Sequence, residues 1–454
     1  MRCLALNRSR ESLFEIRKLL LAVFCLHAIS ACGEVQGTAE PDSAGMSSAR
    51  LERLEHLNQQ YVDEGKLAGV MTVVARHGKI VHLSAAGTYG VDNDKPLSED
   101  TLFRIYSMTK PVTAVALMML YEEGAFQLSD PVSKYLPQFK DMKVWKQDHL
   151  EDAQREITMH HLLTHTSGLS YGAGKSEVDE AYQEADLLRT KDLDEFIERV
   201  ANLPLMHEPG ERWTYGLSYD VLGAVAEKIS GQNYAEFLKA RILDPLGMGD
   251  TFFYLPDDKR DRFPTNHVWN FETSELAVFP DDDPLNHSYY GSMFYAGGHG
   301  LVSTIGDYMK FLEMLRNGGS LNGVRILSPK TIQFMTTNHL PAATSLAASG
   351  GSSTLDIPSV GRKVGFGIGF GIVRDPAEAG VISSPGTYFW GGHAGTIFWV
   401  DPREDLVAIG MLQLIASPWS YRKEMMVATY QAIEELNRGM SVGCRPSIYP
   451  EHGN

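Results

Sequence analysis

Strand-like apolar runs lie at both ends of this chain, with a long stretch of helical character between them. That arrangement constrains the fold more than any single motif. GVMTVVARHG at 69–78 and KIVHLSAAG at 79–87 meet at the turn signal His77-Gly78 and predict a hairpin. FGIGFGIV at 366–373, TYFWGG at 387–392, TIFWVDP at 396–402 and LVAIGMLQL at 406–414 predict further strands. Leu51, Leu54, Leu57 and Tyr61 recur at helical spacing between Ser47-Ser48 and Gly65, and a last helix is expected from Ser417-Pro418 to about Asn437. The middle is dominated by helical segments such as 184–204 and 218–243. The expected fold class is therefore an α/β (α+β) composite. An antiparallel sheet flanked by helices is built from 49–125 and 291–440, and a mostly helical domain, 126–290, is inserted between them.

The N-terminus has a different character. Arg17-Lys18 closes a basic region ahead of the apolar run LLLAVFCLHAISA at 19–31, which is too short to span a bilayer comfortably and is expected to be an export signal. Ile29-Ser30-Ala31-Cys32 resembles a bacterial lipobox, so Cys32 is the expected lipidation site of an exported, membrane-anchored protein; a simply cleaved signal is the alternative. Residues 32–48 form a polar tether. Cys3 and Cys25 would leave with the signal and Cys444 would stand alone, so no disulfide framework is expected. The net charge of −16 would repel phosphate backbones, which excludes nucleic acid as a partner class.

The chemistry begins in FRIYSMTKPVTAVALMMLYEEG at 103–124. A short extended run enters a helix at Ser107, and Lys110 lies one turn on, so both side chains share a face. A serine hydroxyl is inert at neutral pH, and a buried neighbouring amine can take its proton. A helix N-terminus adds N–H groups where an oxyanion would form. On many exposed helices the same spacing is only a cap and a solvated lysine. Here the apolar positions Val112, Val115, Ala116, Met118 and Met119 would bury the Lys110 turn.

Two other patterns compete. Gly168-Leu169-Ser170-Tyr171-Gly172 fits the Gly-x-Ser-x-Gly elbow, but no hydrophobic strand precedes it and no Asp and His follow suitably, so Ser170 is expected to be structural. His160, His161 and His165 cluster with no glutamate after His161 and no evident third ligand, so no metal site and no cofactor are expected. His299 and His393 sit in glycine-rich stretches expected near the cleft, where either would meet substrate.

SMTK at 107–110 resembles the first motif of class C β-lactamases, low-molecular-weight penicillin-binding proteins and the β-lactamase-like family VIII carboxylesterases. Its companions are ITMHHLLTHTSGL at 157–169, PGERWTYGLSYDVLGAVAEKISG at 209–231, ILDPLGMGDTFF at 242–253 and YAGGHGLVSTIGDYMKFLEMLRNGG at 295–319. The likeness spans about residues 45–437. It implies an acyl-enzyme serine hydrolase in which Ser107 is the nucleophile and Lys110 and Tyr215 relay its proton. The second motif's usual asparagine is replaced by Leu217. The third motif falls on Trp390-Gly391-Gly392, with His393-Ala394-Gly395 as the other placement. The resemblance further implies an oxyanion hole formed by the N–H groups of Ser107 and His393. A cation at the third motif would pair with the carboxylate of a β-lactam or D-alanyl terminus, and Trp390 cannot. The expected substrate is a short or medium uncharged ester, or a small-molecule amide. A β-lactamase or D-alanyl carboxypeptidase, an acyltransferase and a silent envelope binding protein are the alternatives.

Overall fold

Strands from the two chain ends do share one sheet. The computed structural model describes residues 38–437 apart from 281, 288, 291–293 and 341–362, so the apolar run at 19–31 and Cys32 lie outside the described residues. The N-terminal part supplies helix α1 (Ser48–Asp63) and strands β1 (Gly69–Arg76), β2 (Lys79–Gly90) and β3 (Asn93–Pro96). Helices α2 (Thr109–Glu122), α3 (Ser218–Ser230) and α4 (Ile305–Arg316) follow. The C-terminal part adds β4 (Val364–Phe366), β5 (Gly371–Val373), β6 (Tyr388–Gly391), β7 (Ile397–Asp401), β8 (Leu406–Leu412) and α5 (Tyr421–Tyr430).

The eight strands run in the order β4-β5-β6-β7-β8-β1-β2-β3, with every neighbour antiparallel. The two ends are joined by β1 on β8, with Val70 opposite Leu412 and Arg76 opposite Leu406. The β1–β2 turn has positive φ at His77 (54°) and Gly78 (71°), the backbone that lets a two-residue turn match strand twist.

Alternation along β1 assigns the layers. Val70 and Val74 face α1 and α5 with Leu54, Tyr421 and Met425, whereas Met71, Val73 and Ala75 face the layer containing α2 and α4. Both sheet faces are thus buried, which is why the strand sequences read as nearly continuous apolar runs. The second apolar cluster continues without interruption from the sheet through α2 to Phe196 and Val225 in the middle segment.

Three expected elements differ. The run at 366–373 is a tight hairpin rather than one strand, because Gly369 turns with φ 89° close against α2, where a Cβ would lie 2.7 Å from that of Ala114. The stretch 184–204 is broken at Asp186 (φ 45°) between helices Glu177–Glu184 and Leu193–Val200. The last helix is confined to Tyr421–Tyr430, since the chain beyond it is drawn into a bridge between Ile433 and Met46. The middle segment also carries two small hairpins, Lys143–Lys146 with His149–Asp152 and His267–Asn270 with Glu275–Val278. Among the described residues no helix is long and apolar enough to cross a membrane.

Buried histidines couple this fold to pH. Burial holds His82 and His161 down to about 4 and lowers His160, His165, His207, His267, His339 and His393 as well. These rings stay neutral in the folded chain and gain protons on unfolding, so the unfolded state binds more protons as the medium turns acid. Stability is full above the ordinary histidine range and declines as pH falls through about 6.5 toward about 4. Calorimetry should show Tm dropping steadily over that interval, with a shallower drop in His82→Gln; a Tm constant from about pH 7 to about pH 4.5 contradicts it.

Candidate active site

The backbone leading to Ser107 is locked before the serine is reached. Phe103-Arg104 pairs antiparallel with Val302-Ser303, and Tyr106 then takes a positive φ of 42°. A bulky residue holds that conformation only when its surroundings over-determine it. They do: the Tyr106 ring is buried edge-on to Tyr289 and to His393, each at 6.0 Å, and its hydroxyl accepts from Asn266 Nδ2 at 2.8 Å. Ser107 sits in the tight turn Tyr106–Met108, two residues earlier than the first residue of α2. The strained turn lifts its hydroxyl to the edge of the core, where it is partly exposed.

Lys110, one turn on, is fully buried. Its Nζ lies 3.1 Å from Ser107 Oγ, 2.9 Å from Tyr171 Oη and 2.7 Å from the Gly298 carbonyl. An ammonium donates all three of its protons in this arrangement. A neutral amine keeps two donors for Tyr171 and Gly298 and turns its lone pair on the serine hydroxyl. Burial, then the charge of Asp220, raises the Tyr171 phenol well above its usual range, so it stays protonated.

Tyr215 reaches the same point differently from expectation. Its ring face lies 4.7 Å from Lys110 Nζ, while its hydroxyl accepts from Trp390 Nε1 at 3.3 Å. The phenol bonded to the lysine is that of Tyr171. Tyr215 is packed among Tyr171 (5.3 Å), His165 (4.8 Å), Trp390 (5.4 Å) and the stacked indole of Trp213 (5.9 Å).

The Gly298 carbonyl is itself held. Asp220, buried on α3, accepts from Gly298 N at 2.9 Å and lies 3.3 Å from His299 Nδ1 through the same oxygen. A Cβ at residue 298 would sit 2.5 Å from Asp220 Oδ2, so only glycine allows this approach. His299 is buried beside that carboxylate rather than open to a substrate.

The third motif arrives from the sheet. Trp390 and Gly391 end β6, and Gly392 begins the turn to β7; a Cβ on Gly392 would lie 2.5 Å from the Ile105 carbonyl. This contact seats Gly392 and His393 directly on the turn carrying Ser107, with the His393 ring against Tyr106. Burial, with help from the charge of Arg422, lowers the His393 pKa, so its ring is neutral near pH 7. Trp390 is buried between Tyr215 and Phe366, at 5.4 and 5.3 Å.

Ser170 is a buried latch: it donates to Asp179 Oδ1 at 2.9 Å and accepts from Gly172 N at 3.0 Å. His161 Nδ1 accepts from Thr158 N in a helix-capping box, and His160 meets His339 at 3.2 Å. Among the described residues no group of His, Cys, Asp and Glu is arranged to hold a metal. A cavity of about 470 Å³ borders Tyr171 and Tyr215, with Met206, Thr214 and Lys175 on its wall.

Sequence reasoning missed Tyr171, Gly298 and Asp220. Tyr171 lay inside the pattern weighed only for Ser170, and Asp220 and Gly298 stood within quoted segments that carried no spacing rule.

A family model described as "Beta-lactamase" matches residues 54–423. The chain is 31% identical to esterase EstB of Burkholderia gladioli, over 90% of this chain and 98% of that protein. Among solved structures it is similar to EstCE1, described as a hydrolase with promiscuous acyltransferase activity (TM-score 0.71, 26% identity, 84% of this chain and 99% of that one). It is also similar to a LovD6 mutant of simvastatin synthase from Aspergillus terreus (TM-score 0.72, 25% identity, 85% and 96%). With a family match across most of its length, this chain belongs to the beta-lactamase family.

Proposed function

We propose that this serine hydrolase is a carboxylesterase for small uncharged esters, with Ser107 as its nucleophile. The single observation carrying the proposal is the buried Lys110 amine placed 3.1 Å from Ser107 Oγ, its other hydrogen-bond partners being Tyr171 and the Gly298 carbonyl. Lys110 takes the hydroxyl proton as Ser107 Oγ bonds to the ester carbonyl carbon, and the N–H groups of Ser107 and His393 receive the oxyanion. The proton passes to the departing alkoxide, with Tyr171 and Tyr215 lining its route. Water then attacks the acyl carbon, its proton passing by way of Lys110 to Ser107 Oγ as the C–Oγ bond breaks and the acid leaves. Export with lipid attachment at Cys32 belongs to the same proposal, supported by the basic and apolar leader that precedes it.

Trp390 supports the choice of substrate. A carboxylate-bearing substrate would forfeit a charge-assisted bond worth about 1.5–3 kcal/mol, or about 10–150-fold. Turnover of p-nitrophenyl butyrate should therefore exceed that of nitrocefin and of a D-Ala-D-Ala peptide by at least about tenfold in kcat/KM. A preference for either anionic substrate would defeat the assignment. Transfer of the acyl group to an alcohol is the second reading, favoured by the likeness to EstCE1 and simvastatin synthase. Added short alcohols should then yield new esters at the expense of free acid.

A further inference from the structure

Arg422, the second residue of α5, is buried under the β6–β7 turn. Its guanidinium donates to three carbonyls of that one turn: Nη2 to Gly392 and, at 3.0 Å, to Thr396, and Nε to Gly395 at 3.0 Å. The turn is also closed on itself by Gly392 N to Thr396 O at 2.8 Å and Gly395 N to Gly392 O at 3.2 Å. The Ala394 carbonyl in the same turn accepts from Leu414 N at 2.9 Å.

One of these bonds bears on catalysis. The Gly392 carbonyl and the His393 N–H belong to the same planar peptide unit, and in a trans peptide they point in opposite directions. No described peptide bond is cis. Fixing the carbonyl on Arg422 therefore fixes the His393 N–H on the side away from Arg422. A peptide whose oxygen is bonded to a cation is also the better donor at its nitrogen, through polarisation along the chain of bonds. The same peptide is pressed against Ile105 by the missing side chain of Gly392, which leaves its plane little freedom.

We propose that Arg422 is a positioning residue that aims and polarises the His393 N–H as an oxyanion donor, acting through the Gly392–His393 peptide without touching substrate. The proposal rests on the reading of Ser107 and His393 above. Lysine is a poor replacement, since a single ammonium cannot reproduce the planar grip on three carbonyls. Methionine keeps much of the stem and removes the donors.

The test compares wild type, Arg422→Lys and Arg422→Met with p-nitrophenyl butyrate and with phenylboronic acid, whose tetrahedral adduct on a serine presents an oxygen to the oxyanion hole. Loss of one such donor costs about 100- to 1,000-fold in kcat, so misaiming it should cost about 30-fold or more in Arg422→Met and about tenfold in Arg422→Lys. KM should move less than about threefold, and the boronate inhibition constant should rise in proportion to the fall in kcat. Methylguanidinium added to Arg422→Ala should restore part of kcat. The proposal is overturned if folded Arg422→Met or Arg422→Lys keeps kcat within about twofold of wild type, or if kcat falls while boronate affinity is unchanged. Should Arg422→Met not fold, the lysine variant decides by the same criteria. Failure of the underlying site reading looks different: Ser107→Ala would then keep its esterase activity.

Discussion

Ser107→Ala should lower kcat for p-nitrophenyl butyrate by about three orders of magnitude or more and abolish labelling by a fluorophosphonate probe. The expectation follows from the surroundings of the hydroxyl. Its carrier turn is held by Tyr106 at a φ of 42°, the proposed proton acceptor Lys110 is buried with Nζ 3.1 Å away, and the turn at Gly392 is seated against Ile105. Alanine leaves those supports untouched, because the side chain lost is a partly exposed hydroxyl whose contact is with Lys110. Stability should change little, and a residual rate should persist from binding and oxyanion donors alone. Mass spectrometry of the labelled wild-type protein should place the adduct on the peptide containing Ser107. A label on Ser170, or an alanine variant retaining most of its esterase rate, would contradict the assignment.

Much of this arrangement was legible in the sequence. Patterns governed by short-range rules transferred well: the His77-Gly78 turn, the helical spacing of Leu51, Leu54, Leu57 and Tyr61, and the Ser107-Lys110 pair all depend on residues within a single local element. The sheet assembled from both chain ends also followed, since apolar runs on β1 and β8 have no other way to cover both faces. Contacts between distant segments were not readable. Which tyrosine bonds Lys110 depends on how the 170–172 loop lies over α2, and two tyrosines at 171 and 215 satisfy the same chemistry in sequence. The Asp220 anchor of Gly298 joins residues 78 positions apart, and Arg422 meets Gly392 across 30; neither pairing leaves a periodic or motif signal. Helix ends were misjudged where a long-range contact, such as the Met46–Ile433 bridge, overrode local propensity.

Lys110→Met should be nearly as damaging to turnover as loss of the serine, lowering kcat by about three orders of magnitude while leaving the labelled position unchanged. The size of the effect is set by the partners of the amine. Its three hydrogen-bond partners are a serine hydroxyl, a phenol and a backbone carbonyl, and the Tyr215 ring lies beside it; none is a carboxylate, so the side chain is positioned by neutral groups. Methionine fills a similar volume, tolerates an apolar site and offers no lone pair able to hold the serine proton. Removing the amine leaves Tyr171 Oη and the Gly298 carbonyl without that donor, a loss of about 1–3 kcal/mol for a buried polar group, but it also removes the cost of burying the amine itself. The net change in Tm should therefore be small beside the change in rate. Fluorophosphonate should still reach Ser107 in this variant, only far more slowly, because the probe reacts with the hydroxyl that the missing base no longer activates. Labelling at the wild-type rate, together with unchanged ester turnover, would show that the proton leaves Ser107 by another route.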